Sequence, residues 1–339
     1  MPTPYRIEIY NRNFTLDTWA LCNQPNYTFD YLTLEEWSVT AIGTLNPKRG
    51  NYVQVIEGNV VKYQGVLTNS ETGTEEGLTT LYVRPLQSLL DFDAYLPTIQ
   101  SNSYIEYLLS NIIYWGRQDN PEPSANLQGL VVATTTSTAG SLLVEEDNIV
   151  NLWTCAVQAL KTHRIVIRAS LLTAQRQIRF EIARNTAEAR IETDLPNVLS
   201  KTLSLQENNG NPNCCLIANE ENPSEYLWFS NNTGNNGIWK VEKIRIKDDE
   251  DFATKAAEKA LQIITPTEFD NCIEVTVRKD DKIVMIEDIG TLVDIVTEGR
   301  IIPSVLTAIS TDSSIKTLTF GAIRLDLTRQ LILQRRKIL

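Results

Sequence analysis

Apolar and polar residues alternate along most of this 339-residue chain, and the period is more often two than three or four. Tyr5, Ile7 and Ile9 fall on one face of an extended segment. Asn11-Arg12-Asn13 then turns the chain and Phe14–Leu21 returns, which predicts a hairpin. The same alternation predicts strands at Leu78–Val83, Leu130–Thr135, Arg164–Ser170, Gln177–Ala183, Val198–Leu205, Cys214–Ala218, Glu225–Phe229, Ile238–Ile246 and Cys272–Val277. Asn69–Gly77 and the Asn/Gly-rich Ser230–Gly237 read as hairpin tips, since Asn and Gly tolerate the backbone of tight turns.

Three stretches carry the helical period instead. Ile105, Leu108, Leu109, Ile112 and Ile113 form one apolar stripe, with Ser103 and Glu106 spaced as a capping box. A second helix presents Ile149, Leu152, Trp153, Ala156, Val157 and Leu160. A third opens on the acids of Asp248–Asp251, which favour a helix N-terminus, presents Ala253, Ala257, Ala260, Leu261 and Ile264, and ends at Pro266.

The chain also repeats itself. Gly50–Thr68 reads GNYVQVIEGNVVKYQGVLT and Gly290–Thr307 reads GTLVDIVTEGRIIPSVLT. Aligning the glycines matches Val53 with Val293 and Val55 with Ile295. One gap then brings Val66-Leu67-Thr68 onto Val305-Leu306-Thr307. A polar turn, a further strand (Leu78–Val83; Ile315–Phe320) and a Leu-rich segment (Leu86–Leu90; Leu325–Leu331) follow each copy. Pro303 has no N–H to give a ladder, so its strand is expected to be an edge or to bulge there. The expected fold is therefore α+β, mostly β. Two related β-barrel-like modules lie near the chain ends, with a helical interlude and a β-rich middle between them. The boundaries read as a first module at 1–97, the interlude at 98–165, the middle at 166–247, a helix with the second module at 248–326, and an apolar, basic segment at 327–339.

Composition narrows the function. A 42% apolar and 22% charged chain can bury a substantial core. No apolar run reaches the ~18–20 residues of a membrane helix, so stable membrane insertion is not expected. The opening MPTPYRIEIY has neither the basic nor the apolar region of a secretory leader. The five cysteines are odd in number and scattered, as in a chain kept reduced in a cytoplasm; Cys214 and Cys215 read as half-buried thiols. A formal net charge of −11 opposes specific nucleic-acid binding, which needs a basic face.

Chemistry is sparse. His163, the single histidine, ends the second helix, and its expected role is to meet the last carbonyls; a nucleophile pair with Cys155 or Cys215 is the sharper alternative. No CxxC, HExxH or HxH can hold zinc, no glycine-rich phosphate loop occurs, and no G-x-S-x-G elbow is present. Paired acids such as Asp91 with Asp93 read as solvated turns or caps. Four of the six tryptophans sit within strand or helix patterns, where core packing is expected. No catalytic, cofactor-binding or metal-binding residue is assigned, and no cofactor is expected.

The order of modules, the closing phrase Gly290-Thr-Leu-Val-Asp-Ile-Val … Val305-Leu-Thr … Leu318-Thr-Phe-Gly-Ala-Ile-Arg-Leu-Asp-Leu-Thr, and Val83-Arg84-Pro85-Leu86-Gln87-Ser88-Leu89-Leu90-Asp91 together resemble the tail-tip (baseplate) hub proteins of long-tailed phages of Gram-positive bacteria. These share a structural family with the hub of contractile-tailed phages. The resemblance implies a non-enzymatic virion protein, made in the host bacterial cytoplasm and placed at the tail tip. It implies a homotrimer that caps a tube of hexameric rings, with two barrels per protomer presenting six similar modules. Distal-tail and tail-tube proteins, the tape-measure protein and receptor-binding or fibre proteins are the implied partners. Ring contacts are then expected from the two repeat modules, represented by Gln54, Val66, Asp294 and Val305. A tail-tip cell-wall-degrading enzyme and the hub of a phage-derived injection system are the alternatives.

Overall fold

The computed structural model describes residues 5–73, 77–95, 104–140, 149–204, 214–222, 224–230, 241–246, 252–264, 267–269, 271–281, 286 and 288–321. Ser103, most of the 230–237 tip, the acids at 248–251, Pro266 and the 327–339 segment lie outside them.

The strands are β1 (Tyr5–Tyr10), β2 (Leu16–Cys22), β3 (Tyr27–Asp30), β4 (Trp37–Ile42), β5 (Tyr52–Glu57), β6 (Val60–Thr72), β7 (Leu78–Pro85), β8 (Asp93–Tyr95), β9 (Leu130–Thr134), β10 (Ile149–Asn151), β11 (Ile165–Leu172), β12 (Gln177–Arg184), β13 (Glu188–Glu192), β14 (Val198–Ser204), β15 (Cys214–Asn219), β16 (Tyr226–Ser230), β17 (Val241–Ile246), β18 (Cys272–Arg278), β19 (Leu292–Thr297), β20 (Arg300–Thr311) and β21 (Ile315–Gly321). The helices are α1 (Ile105–Arg117), α2 (Leu152–His163) and α3 (Phe252–Ile263).

Alternation in β1, β2, β4, β5 and β7 closes a six-stranded barrel in the order β1-β2-β4-β7-β6-β5. Its inward residues, among them Ile7, Ile9, Val39, Val53, Val55, Leu67, Leu81 and Val83, form a core of their own. The second repeat lies in a seven-stranded sheet ordered β13-β19-β20-β21-β18-β14, with β3 pairing on β20. If the barrel is cut between β1 and β2, its six strands fall in the same order as the six of this path: β2 matches β14, β4 matches β18, β7 matches β21, β6 matches β20, β5 matches β19 and β1 matches β13. Two differences stand out. β13 runs parallel to β19, whereas β1 is antiparallel to β5. Among the described residues no ladder joins β13 to β14, and Lys201 of β14 reaches across the seam instead. Its Nζ reaches Asp194, Thr297 Oγ1 at 3.1 Å and Thr193 Oγ1 at 3.5 Å. The N-terminal module is thus a closed barrel, and the C-terminal one is a sheet of the same strand order with a side-chain clasp at its seam.

β3 binds the two together. It leaves the barrel between β2 and β4 and adds to β20, pairing Asp30 with Ala308 and Tyr27 with Thr311. Between the modules, α1 and α2 pack with β11 and β12 in the largest core. The α1 stripe predicted from periodicity is buried throughout, and α2 buries Leu152, Trp153, Ala156, Ala159 and Leu160. The α2 stripe begins later than its periodicity suggested, because Ile149 belongs to β10 and is exposed. α3 turns its buried face by about a residue. Phe252, Ala256 and Ala260 meet Cys215 and Ile217, while Ala253 and Leu261 are exposed. Phe252, the bulkiest side chain near the helix start, sets that face.

Candidate interaction surface

The two repeat hairpins match atom for atom at their entry turns. Gly50 and Gly290 have φ of +86° and +84°. Gly50 N donates to Leu67 O at 2.8 Å and Gly290 N to Leu306 O at 2.9 Å; Leu67 N returns to Asn51 O and Leu306 N to Thr291 O. Both long strands then bulge at the aligned threonine. The β6–β7 register slips between Leu67 and Asn69, and the β20–β21 register slips between Leu306 and Ala308. The threonine hydroxyls make the same bond: Thr68 Oγ1 donates to Tyr82 O at 3.0 Å and Thr307 Oγ1 to Thr319 O at 3.2 Å. The single gap in the alignment also has a structural address. Val55 pairs with Tyr63 but Ile56 with Val61, so Lys62 is an extra residue in β6, whereas β19 and β20 pair without a slip. Pro303 occupies a stretch of β20 laddered on β19 alone, in keeping with its lack of a donor.

Of the four residues that represented these modules in the sequence, Asp294 is exposed and Val66 half-buried. Gln54 and Val305 face inward: Gln54 Nε2 donates to Leu171 O at 3.0 Å, and Val305 belongs to the large core. Sequence reasoning passed over an apolar pair that also faces outward. Val61 (43% exposed) and Ile301 (57% exposed) occupy the same register position beside the two hairpin tips, opposite Ile56 and Val296. The alignment contained this signal, because both positions hold β-branched apolar residues where a hairpin shoulder is normally polar.

The titratable groups serve the protomer. His163 Nδ1 lies 2.7 Å from Oγ1 of the preceding residue, Thr162; burial and then Arg184 hold its pKa below the ordinary value. Glu106 is buried in α1. Burial pushes its pKa up, but Thr136 Oγ1, Thr138 Oγ1 and Thr138 N donate to it at 2.6–2.7 Å and leave it lowered overall. Burial lowers Lys161 to about 8 and raises the Cys22 thiol to about 12. Cys214 and Cys215 are both fully buried, deeper than the half-burial expected for them. Trp37 and Trp153 are core residues, whereas Trp19 and Trp228 are exposed. Among the described residues no three His, Cys, Asp or Glu side chains are grouped to hold a metal ion, and no helix is long and apolar enough to cross a membrane.

No protein-family model and no curated protein matches the sequence. The backbone does find relatives. It superposes on the 43 kDa tail protein of prophage MuSo2 from Shewanella oneidensis with a TM-score of 0.60 at 14% identity, covering 93% of this chain and 98% of that one. This chain has the fold of prophage tail proteins. Prophage tail protein gp18 of Listeria monocytogenes EGD-e agrees at TM-score 0.58 and 10% identity, over 97% and 98% of the two chains. The tail protein of Neisseria meningitidis MC58 agrees at 0.57 and 11%, over 94% and 97%. The tail-protein fold therefore spans nearly the whole of each molecule. At 10–14% identity it is held by strand order and core alternation, not by shared side chains.

Proposed function

We propose that this protein is the trimeric hub of a phage tail tip. In this reading it caps the tail tube and joins the tube and distal-tail proteins to the host-recognition apparatus. The observation that supports it is the repetition of one six-strand order twice within a chain of tail-protein fold. Three protomers then carry six similar modules around one axis, which lets a threefold ring meet a sixfold tube. In the assembled ring the modules at 1–97 and 248–326 are the pseudo-equivalent units. Contacts between protomers come from the hairpins at Gln54–Thr68 and Asp294–Thr307, through outward positions such as Asp294, Val61 and Ile301, while Gln54 and Val305 hold the strands from inside. The net charge of −11 suits a wall around a passage for DNA and the tape-measure protein. The protein acts as a scaffold, not an enzyme.

Light scattering over a concentration series tests this. The expected mass is about three times 38.3 kDa, and a Val61→Asp/Ile301→Asp double variant should fall to the monomer mass. A monomer at every concentration would remove the ring, and a trimer indifferent to the double substitution would move the contact surface elsewhere.

A further inference from the structure

β11 is an edge strand. Arg164 O accepts from Asn185 N, and with the register Ile165↔Arg184 through Leu172↔Gln177 this sets the even-numbered residues of β11 in the ladder with β12. The odd-numbered residues turn their N–H and C=O groups the other way, where no strand lies among the described residues. Side chains stand in for the missing strand. Ile167 N donates to Tyr31 Oη at 2.9 Å, and Gln87 Nε2 lies 3.5 Å from Ile167 O. Leu171 is clamped from both sides by one amide, with Leu171 N donating to Gln64 Oε1 and Gln64 Nε2 donating to Leu171 O, each at 3.0 Å; Gln54 adds a third bond. Three glutamines and a tyrosine thus imitate peptide groups along the edge.

The imitation stops at Ala169. Its N–H and C=O have the same outward parity, and among the described residues neither is met by another group. In front of it lies a cleft of about 270 Å³, bounded at its ends by Gln64 and Gln87 and walled by Tyr27, Phe29 and Tyr63. Lys62, the bulge residue absent from the second repeat, also lines it, beside Val61. A cavity of ~150 Å³ already holds benzene, so this one has room for a peptide group and a ring. From Ile167 to Leu171 the edge runs about 13 Å at ~3.3 Å per residue, and the part left open corresponds to a single residue.

We propose that this cleft is a peptide-binding site that takes one residue of an extended segment from a partner chain. The incoming C=O accepts from Ala169 N–H, the incoming N–H donates to Ala169 C=O, and the incoming side chain lies against Tyr63 and Phe29. This is strand addition reduced to one bridge, with backbone groups providing attachment and aromatic walls providing selection. The proposal does not rest on the hub reading, although Val61, an outward contact in that reading, also lines the cleft.

The test is an NMR titration of the ¹⁵N-labelled full chain with N-acetyl-phenylalaninamide, and with N-acetylglucosamine as the non-peptide comparison. The amide probe should move the Ala169 N–H saturably and slow its hydrogen exchange, and the sugar should not. Ala169→Pro removes the donor without touching the β11–β12 ladder, so the fold should persist while affinity falls at least tenfold. Tyr63→Leu leaves the backbone intact and should weaken binding several-fold. Absence of a saturable shift at Ala169, equal binding by folded Ala169→Pro, or an equal response to the sugar would each overturn the proposal.

Discussion

Glu106 shows how far a single side chain can depart from its local reading. Its spacing from Ser103 predicted a helix cap, but its carboxylate is taken up by Thr136 and Thr138, 30 and 32 residues further on. Nothing in the window around Glu106 announces those partners, so its burial was not legible. Glu106→Ala leaves two half-buried hydroxyls and an amide without this acceptor, and should cost about 1–3 kcal/mol. Because the folded-state pKa is lowered, the carboxylate's contribution is present above the ordinary Glu value of 4.5 and is lost as pH falls through the lower folded value. Denaturant titrations of wild type and Glu106→Gln should therefore differ at pH 7 and converge in acid. A gap that stays constant with pH would mean that the carboxylate acts by shape alone.

At the scale of the element, the repeat was the most legible feature because the physics that wrote it is local. A positive-φ glycine, a period-two run and a threonine at the bulge are all within twenty residues, and each copy repeats them. What alternation could not supply was orientation. It gave β13 no direction against β19, roughly a hundred residues away, and it did not foretell that the β13–β14 seam would be held by Lys201. The two turns also differ in surroundings. A Cβ on Gly50 would meet the mobile end of Arg12 at 2.7 Å, whereas one on Gly290 would press on Val166 Cγ1 at 2.9 Å and on Leu160 and Asn185 at 3.3 Å. Gly50→Ala should cost about 1–2 kcal/mol for the backbone conformation alone. Gly290→Ala should cost about 1–3 kcal/mol more, for crowding in the core. Equal urea midpoints for the two variants would show that the core around Gly290 gives way freely.

For the whole molecule, the decisive link is β3, whose four residues of alternating pattern were not singled out in the sequence. A short strand declares its partner only in three dimensions. Beyond the β3–β20 ladder, Tyr31 N donates to Thr307 O, and Trp153 Nε1 donates to Tyr31 O at 3.0 Å. A fragment comprising 1–97 should keep the barrel's circular dichroism, since its six strands close on themselves, yet melt below the full chain and self-associate through β3. A monomeric fragment with the full chain's melting temperature would show that docking of β3 adds nothing. The same link sets a clock during synthesis. Thr28 and Ser310, whose hydroxyls lie 3.0 Å apart, are separated by 282 residues. At ~5–20 residues per second, roughly 14–56 s pass between their emergence from the ribosome. Throughout that interval the newly made barrel carries a bare edge bearing Tyr27 and Phe29, open to chaperones and to neighbouring nascent chains. Only when β20 has been made is that edge retired, so the time taken to read the message from Thr28 to Ser310 sets how long the edge stays bare.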